Sequence, residues 1–142
     1  MIKKILAKHS DAGILIIRVG IGMGFIFVHG LAKITSGPAL WVKIGGAMGK
    51  LGISFAPTFW GFMASVSEFG GGILILLGLF TRTSSAFMAF TMLVAAIFHM
   101  SNLDPWNKVI YPVEMLSVFI ALIFLGGGKY SLDNFLFGRK KQ

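Results

Sequence analysis

Two side chains of opposite charge, Arg18 and Glu68, stand inside apolar stretches of the sequence. A charge within such a stretch is costly unless it is paired, so residues of this kind often form an ion pair or a functional site. At about 1.5 Å of helix rise per residue, the two lie at depths that differ by about 5 Å, which a long arginine side chain can cover. We therefore predict a buried ion pair that either contributes to function or sets the register of two helices.

A second group of ionisable side chains lies toward the opposite end of the apolar stretches. His29, His99 and Glu114 come from three different stretches and fall at a similar level. Together with Trp60 and Trp106, they could line a substrate pocket in which imidazole donates to a carbonyl and a carboxylate moves protons. The candidates for catalysis are His29, Glu68, His99 and Glu114.

Simpler interpretations of the second group remain open. His29 and His99 could bond to loop carbonyls, Glu114 could complement a helix dipole, and the tryptophans could form an interfacial belt. Two histidines and a carboxylate could also hold a metal or a haem, but nothing in their spacing demands either. We predict no metal and no evident cofactor other than a possible quinone.

The composition indicates the environment of these residues. Of 142 residues, 56% are hydrophobic and only 13% are charged, with a mean hydropathy of +0.83, so the chain belongs in a membrane. The absence of cysteine excludes disulfides, thiolate-bound iron–sulfur clusters and c-type haem. The net charge of +8 comes from basic residues at the ends of apolar runs, which favours lipid headgroups over nucleic acid as a partner.

Hydropathy predicts an all-α fold, a single four-helix membrane domain over residues 1–142. The four predicted spans are about Ala12–Leu31, Thr58–Leu79, Ser84–Met100 and Val109–Leu125, each close to the ~20 residues that cross a bilayer. Between the first two, apolar residues recur at three- and four-residue steps and predict a short interfacial helix; these are Trp41, Ile44, Met48 and Leu51. Near the end of the chain, Ser131 is a predicted helix cap.

The distribution of basic residues predicts the orientation. Eight lysines and arginines lie on the side of the termini, against four on the other side. The eight are Lys3, Lys4, Lys8, Arg82, Lys129, Arg139, Lys140 and Lys141, and the four are Lys33, Lys43, Lys50 and Lys108. We expect a multi-pass membrane protein with both termini in the cytoplasm.

Glu68 is predicted to face protein. Gly61, Ser65 and Gly72 fall at helical spacing from it, so small or polar residues share the face that carries the carboxylate.

Several stretches resemble the DoxX family of small four-helix bacterial membrane proteins: "RVGIGMGFIFVHGLAKI", "SEFGGGILILLGLFTR" and "GGGKYSLD". The resemblance extends over nearly the whole chain, and the middle motif is specific. It marks Arg18, Gly30, Lys33, Glu68, Gly71, Gly72, Gly78, Thr81, Arg82, Tyr130, Ser131 and Asp133. The last motif departs slightly, since Gly127-Gly128-Lys129 stands where Gly-Pro-Gly-Arg is expected.

The resemblance implies an oxidoreductase component of the bacterial inner membrane. Relatives of this family include a membrane subunit associated with thiosulfate:quinone oxidoreductase and proteins linked to quinone or catechol stress. We therefore expect a redox subunit or quinone-interacting protein that works with a protein partner, surrounded by membrane lipids and possibly forming a homo-oligomer. Two alternatives are a small transporter, with the buried charges forming a solute or proton path, and a non-catalytic assembly factor.

Overall fold

The computed structural model describes the backbone of residues 2–138 and the side chains of residues 9–138. The basic side chains of residues 3, 4 and 8 and of residues 139–141 lie outside the described part. In chain order, the helices are α1 (Ile2–Gly24), α2 (Leu31–Thr35), α3 (Pro38–Gly45), α4 (Pro57–Leu77), α5 (Thr81–Ser101), α6 (Trp106–Leu125) and α7 (Leu132–Phe137). A π-helical segment, Phe25–Gly30, joins α1 to α2, and a 3₁₀ segment, Gly46–Leu51, follows α3.

Within the described residues, four helices are long and apolar enough to span a membrane, which confirms the predicted all-α bundle. They cover His9–Thr35, Pro57–Leu77, Thr81–Ser101 and Trp106–Leu125. The first is longer than predicted because the helical path continues through the π-helical segment and ends only at Ser36, before a glycine with positive φ (Gly37, 78°) and a proline.

The apolar core lies between these four helices. Phe25 packs against Phe119 with ring centroids 5.3 Å apart, and Ile75 and Met88 complete the centre with no exposed surface. We call the end of the bundle that carries α3 and the α5–α6 turn the α3 end, and the end that carries α7 the α7 end.

The predicted short helix is α3, which lies against the first half of α4. A Cβ atom at Gly45 would stand 1.8 Å from the Pro57 carbonyl oxygen, and one at Gly61 would stand 1.8 Å from the Trp41 carbonyl oxygen. The backbones of α3 and α4 therefore touch, which only glycine permits. The predicted stripe does not lie on one helix, because α3 ends at Gly45. Met48, which is buried, and Leu51, which is 38% exposed, belong to the 3₁₀ segment that follows.

Candidate functional site

A buried ion pair joins the first span to the middle of α4. The Lys33 ammonium lies 2.6 Å from both carboxylate oxygens of Glu68, and the Glu68 side chain is only 3% exposed. Close packing positions the two helices, because a Cβ at Gly30 would lie 2.5 Å from the Cα of Phe69. The Trp41 indole N–H donates to the Lys33 carbonyl oxygen at 2.9 Å, so a hydrogen bond holds α3 against the first span next to the ion pair.

The predicted ion pair between Arg18 and Glu68 is wrong. Glu68 is held by Lys33, whereas Arg18 donates to the carbonyl oxygens of Ile75 (2.9 Å) and Leu76 (3.0 Å). Those carbonyls lie seven and eight residues beyond Glu68, which is about 11 Å along α4. Arg18 lies level with the end of α4, at Leu77, so Ala12, six residues earlier, lies about 9 Å farther toward the α7 end. The predicted depth treated Ala12 as level with the end of the second span and therefore placed Arg18 too far along the bundle.

Arg18 instead connects the end of α4 to the turn before α7, at the α7 end of the bundle. Arg18 is 1% exposed, and its guanidinium also donates to the carbonyls of Gly127 (2.8 Å) and Tyr130 (2.9 Å). The Asp133 carboxylate accepts hydrogen bonds of 2.7 and 2.9 Å from the backbone amides where α5 begins. The predicted cap is confirmed, since Ser131 accepts from the backbone amide of Asn134 at 3.1 Å. Separate motifs of the sequence thus form one structural cluster.

The burial predicted for Glu68 is confirmed. Gly61, Ser65, Glu68 and Gly72 are all buried, and they form the face of α4 that packs on the first span and α3. This face places the carboxylate beside a cavity.

The cavity occupies about 530 Å³ between α4 and α5, and the 3₁₀ segment after α3 closes it at the α3 end. Its walls are mainly apolar; the residues that line it from α4 are Phe59, Trp60, Met63, Ala64, Val66, Ser67, Glu68, Gly70, Gly71 and Leu74, and those from α5 are Ser84, Phe87, Phe90, Thr91, Val94 and Ala95. Lys33, Ile44, Gly45, Ala47 and Met48 complete the lining. Phe59, Phe87 and Phe90 are about half exposed, so the cavity opens sideways between the two helices, toward lipid.

A few polar groups converge on this apolar cavity. The Trp60 indole nitrogen is buried and has no hydrogen-bond partner among the described residues. The Thr91 hydroxyl donates to the Ser67 hydroxyl at 3.1 Å, and the Lys33–Glu68 pair contributes to the wall. An apolar cavity with an unused donor and a charged pair is typical of a small-molecule site.

The two predicted histidines have separate surroundings. His29 Nε2 lies 2.9 Å from the Tyr111 hydroxyl, and the rings stack with centroids 5.0 Å apart. His99 Nδ1 lies 2.8 Å from Asp104 Oδ2, in the turn after α5. Neither histidine lines the cavity.

The other predicted pocket residues also lie in different places. Glu114 and Trp106 lie on the exposed surface of α6, with Trp106 67% exposed, whereas Trp60 lines the cavity. The five predicted residues therefore do not form one pocket. Within the described residues, no three of His, Asp and Glu lie close enough to hold a metal ion.

Sequence reasoning missed Lys33 as the partner of Glu68. It was counted among the basic residues outside the membrane, because the first span was predicted to end at Leu31. A usable signal was present: Lys33 follows His29 by four residues, with no glycine or proline after Gly30 until residue 37.

Comparison with known proteins agrees with this architecture. The DoxX family profile matches residues 13–100. The chain is 34% identical over 138 residues to "Inner membrane protein YqjF" of Escherichia coli (strain K12), covering 92% of this chain and 97% of that protein. It is 30% identical over 135 residues to "Putative oxidoreductase CatD" of Bacillus subtilis (strain 168), covering 95% of each chain. No solved structure matches.

The matched region includes the ion pair, the cavity lining and Arg18. The family match, together with the four apolar helices and the two relatives aligned over nearly their full lengths, shows that the chain belongs to the DoxX family.

Proposed function

We propose that this protein is an inner-membrane redox component that binds a quinone ring in the cavity between α4 and α5. The observation that carries the proposal is the cavity itself, which combines apolar walls and a lateral opening with an indole nitrogen, buried in the wall, that has no hydrogen-bond partner among the described residues. The names of the two relatives support an inner-membrane location and an oxidoreductase role.

The chemistry of the lining suits a quinone. A quinone is a flat apolar ring with carbonyl acceptors, and it reaches its sites from the lipid phase. The aromatic side chains at the mouth would contact the ring, and the Trp60 N–H, which is buried in the wall, would donate to one carbonyl once the indole turns toward the cavity. The Lys33 ammonium, which is 31% exposed, would stabilise negative charge that develops on an oxygen during reduction.

The redox step needs a partner. Reduction of a quinone to a quinol takes two electrons and two protons, and the sequence carries no dinucleotide motif. The electrons would come from a partner protein with its own redox centre. Lys33 and Glu68 stand at the cavity wall, where they could pass protons to the ring. With both termini in the cytoplasm, as the basic residues predict, the α3 end would face outward.

Photoaffinity labelling with an azido-quinone in native membranes tests this proposal. We expect saturable labelling of α4 within residues 59–67 and of α5 within residues 87–95, with competition by unlabelled quinone. Labelling of α6 or the α5–α6 turn, or labelling without saturation, would contradict it.

A matched pair of tryptophan variants tests the donor. Trp60→Phe keeps an aromatic ring and removes the N–H, so we expect about fivefold weaker quinone binding, which corresponds to the loss of about one hydrogen bond. Trp106→Phe is the control because Trp106 lies on the exposed surface, and it should bind quinone like the unmodified protein. Equal quinone affinities for Trp60→Phe and Trp106→Phe would show that the Trp60 N–H does not bind the quinone. Quinone-independent, Glu68-dependent solute flux in proteoliposomes would favour a transporter instead.

A further inference from the structure

The cavity between α4 and α5 is longer than a quinone ring. Its lining on α4 runs from Phe59 to Leu74, which is about 22 Å along the helix axis. A quinone ring with its two oxygens is no longer than a tyrosine side chain, so the ring fills only part of this length.

Polar groups meet near the middle of the cavity. The hydroxyls of Ser67 and Thr91 lie 3.1 Å apart, and the Lys33 ammonium lies against Glu68 at the same level. An ammonium has three N–H donors, and the two Glu68 oxygens take at most two of them, so one donor is left. An oxygen of the ring therefore finds polar contacts about 10 to 12 Å from either end of the cavity.

The two halves of the cavity differ in chemistry. The half toward the α3 end contains the Trp60 indole. The half toward the α7 end is lined by Gly70, Gly71, Leu74, Ser84 and Phe87. Its one hydroxyl is already used, because Ser84 donates to the carbonyl oxygen of Phe80 (3.1 Å) or Thr81 (3.3 Å). This half therefore suits an apolar chain better than a ring with two carbonyl acceptors.

Gly70 leaves room for such a chain. It lies three residues after Ser67 and four before Leu74, so the three share one face of α4, and a Cβ atom at Gly70 would meet nothing within 4 Å. The neighbouring Gly71 is closed, because a Cβ atom there would stand 2.7 Å from the sulfur of Met88. The open space of this half therefore runs along Gly70.

We propose that the cavity binds a prenylated quinone lengthwise, with the ring in the half toward the α3 end and the first isoprenoid units of the tail in the half toward the α7 end. This orientation rests on the quinone site proposed above and adds the class of quinone. The tail passes Gly70 and leaves toward lipid beside Phe87, which is 60% exposed. Burial of the tail contributes to binding, so the site distinguishes a tailed quinone from the bare ring.

Gly70→Leu tests the position of the tail, because the new side chain would enter open space. Two quinones with the same ring, one without a tail and one with two isoprenoid units, compete with a tailless azido-quinone label in proteoliposomes. Comparing variant with parent for each quinone cancels the partition of the tailed quinone into lipid. We expect Gly70→Leu to weaken binding of the tailed quinone about tenfold, the effect of losing the burial of about two CH₂ groups, and to leave the tailless quinone unaffected. Gly70→Ala should give a smaller loss of the same kind.

Gly20→Leu is the matched control. A Cβ atom at Gly20 also meets nothing within 4 Å, but Gly20 is exposed on the first span and does not line the cavity. It should bind both quinones like the parent, and all variants should keep the far-UV circular dichroism of the parent.

Three results would overturn the orientation while leaving the ring site in place. These are equal effects of Gly70→Leu on the two quinones, no effect on either, or a phospholipid that co-purifies with the parent and is lost from Gly70→Leu, which would assign this half to an acyl chain. Failure of the tailless quinone to displace the label from the parent would instead refute the quinone site itself.

Discussion

Breaking the ion pair between Lys33 and Glu68 should destabilise the bundle more when the lysine is replaced than when the glutamate is replaced. Lys33→Met leaves a carboxylate whose side chain is 3% exposed, whereas Glu68→Gln leaves an ammonium that is 31% exposed and can move toward the surface. We expect Lys33→Met to lower the free energy of unfolding by about 3 kcal/mol, as for a buried charge left without its partner. Glu68→Gln should cost about half as much.

The double variant measures the pair directly. With both partners removed, no uncompensated charge remains, so the combined loss should be smaller than the sum of the two single losses by about 2 kcal/mol. Unfolding by SDS titration in mixed micelles, followed by far-UV circular dichroism, gives all four free energies. Lys43→Met is the control, because Lys43 is an exposed lysine of α3, and it should change stability by less than about 0.5 kcal/mol. Single losses that add to within about 0.5 kcal/mol, or a Lys33→Met loss no larger than that of the control, would refute the reasoning.

Three further predictions concern packing. Gly45→Ala should detach α3 from α4 and expose the intervening loop to protease, because the new Cβ would stand 1.8 Å from the Pro57 carbonyl oxygen; Gly46→Ala meets open space and should digest like the parent. Arg18→Met should lower the free energy of unfolding by about 3 kcal/mol, since the four hydrogen bonds from the guanidinium to backbone carbonyls are lost. A melting temperature equal to that of the parent would contradict this. Asp133→Ala should cost about 1 kcal/mol by uncapping α5, and faster hydrogen exchange confined to the first turn of α5 is the expected signature.

The spans and the burial of Glu68 could be predicted because both depend on local patterns. Twenty apolar residues imply a span wherever they occur, and a carboxylate with Gly61, Ser65 and Gly72 on its own helical face has a protein-facing side whatever packs there. The cap at Ser131 is equally local, because donor and acceptor are three residues apart.

The candidate pocket could not be predicted in the same way. His29, Trp60, His99, Trp106 and Glu114 were grouped because they come from similar levels of different helices. Level alone does not determine which way a side chain points, since each residue turns a helix by about 100°. The structure directs His29 to Tyr111, places Trp60 in the wall of the cavity, and leaves Glu114 on the outer surface of α6.

By itself, the sequence determined that this chain is a bundle of four apolar helices with a buried carboxylate at the centre of the second span. Only the tertiary structure decided which cation that carboxylate binds and where a cavity remains. The reason is geometric: one residue of axial shift between α1 and α4 moves a side chain by about 1.5 Å. Contacts between backbones, such as Gly30 on Phe69, set that shift, so Glu68 meets Lys33 and Arg18 bonds the end of α4.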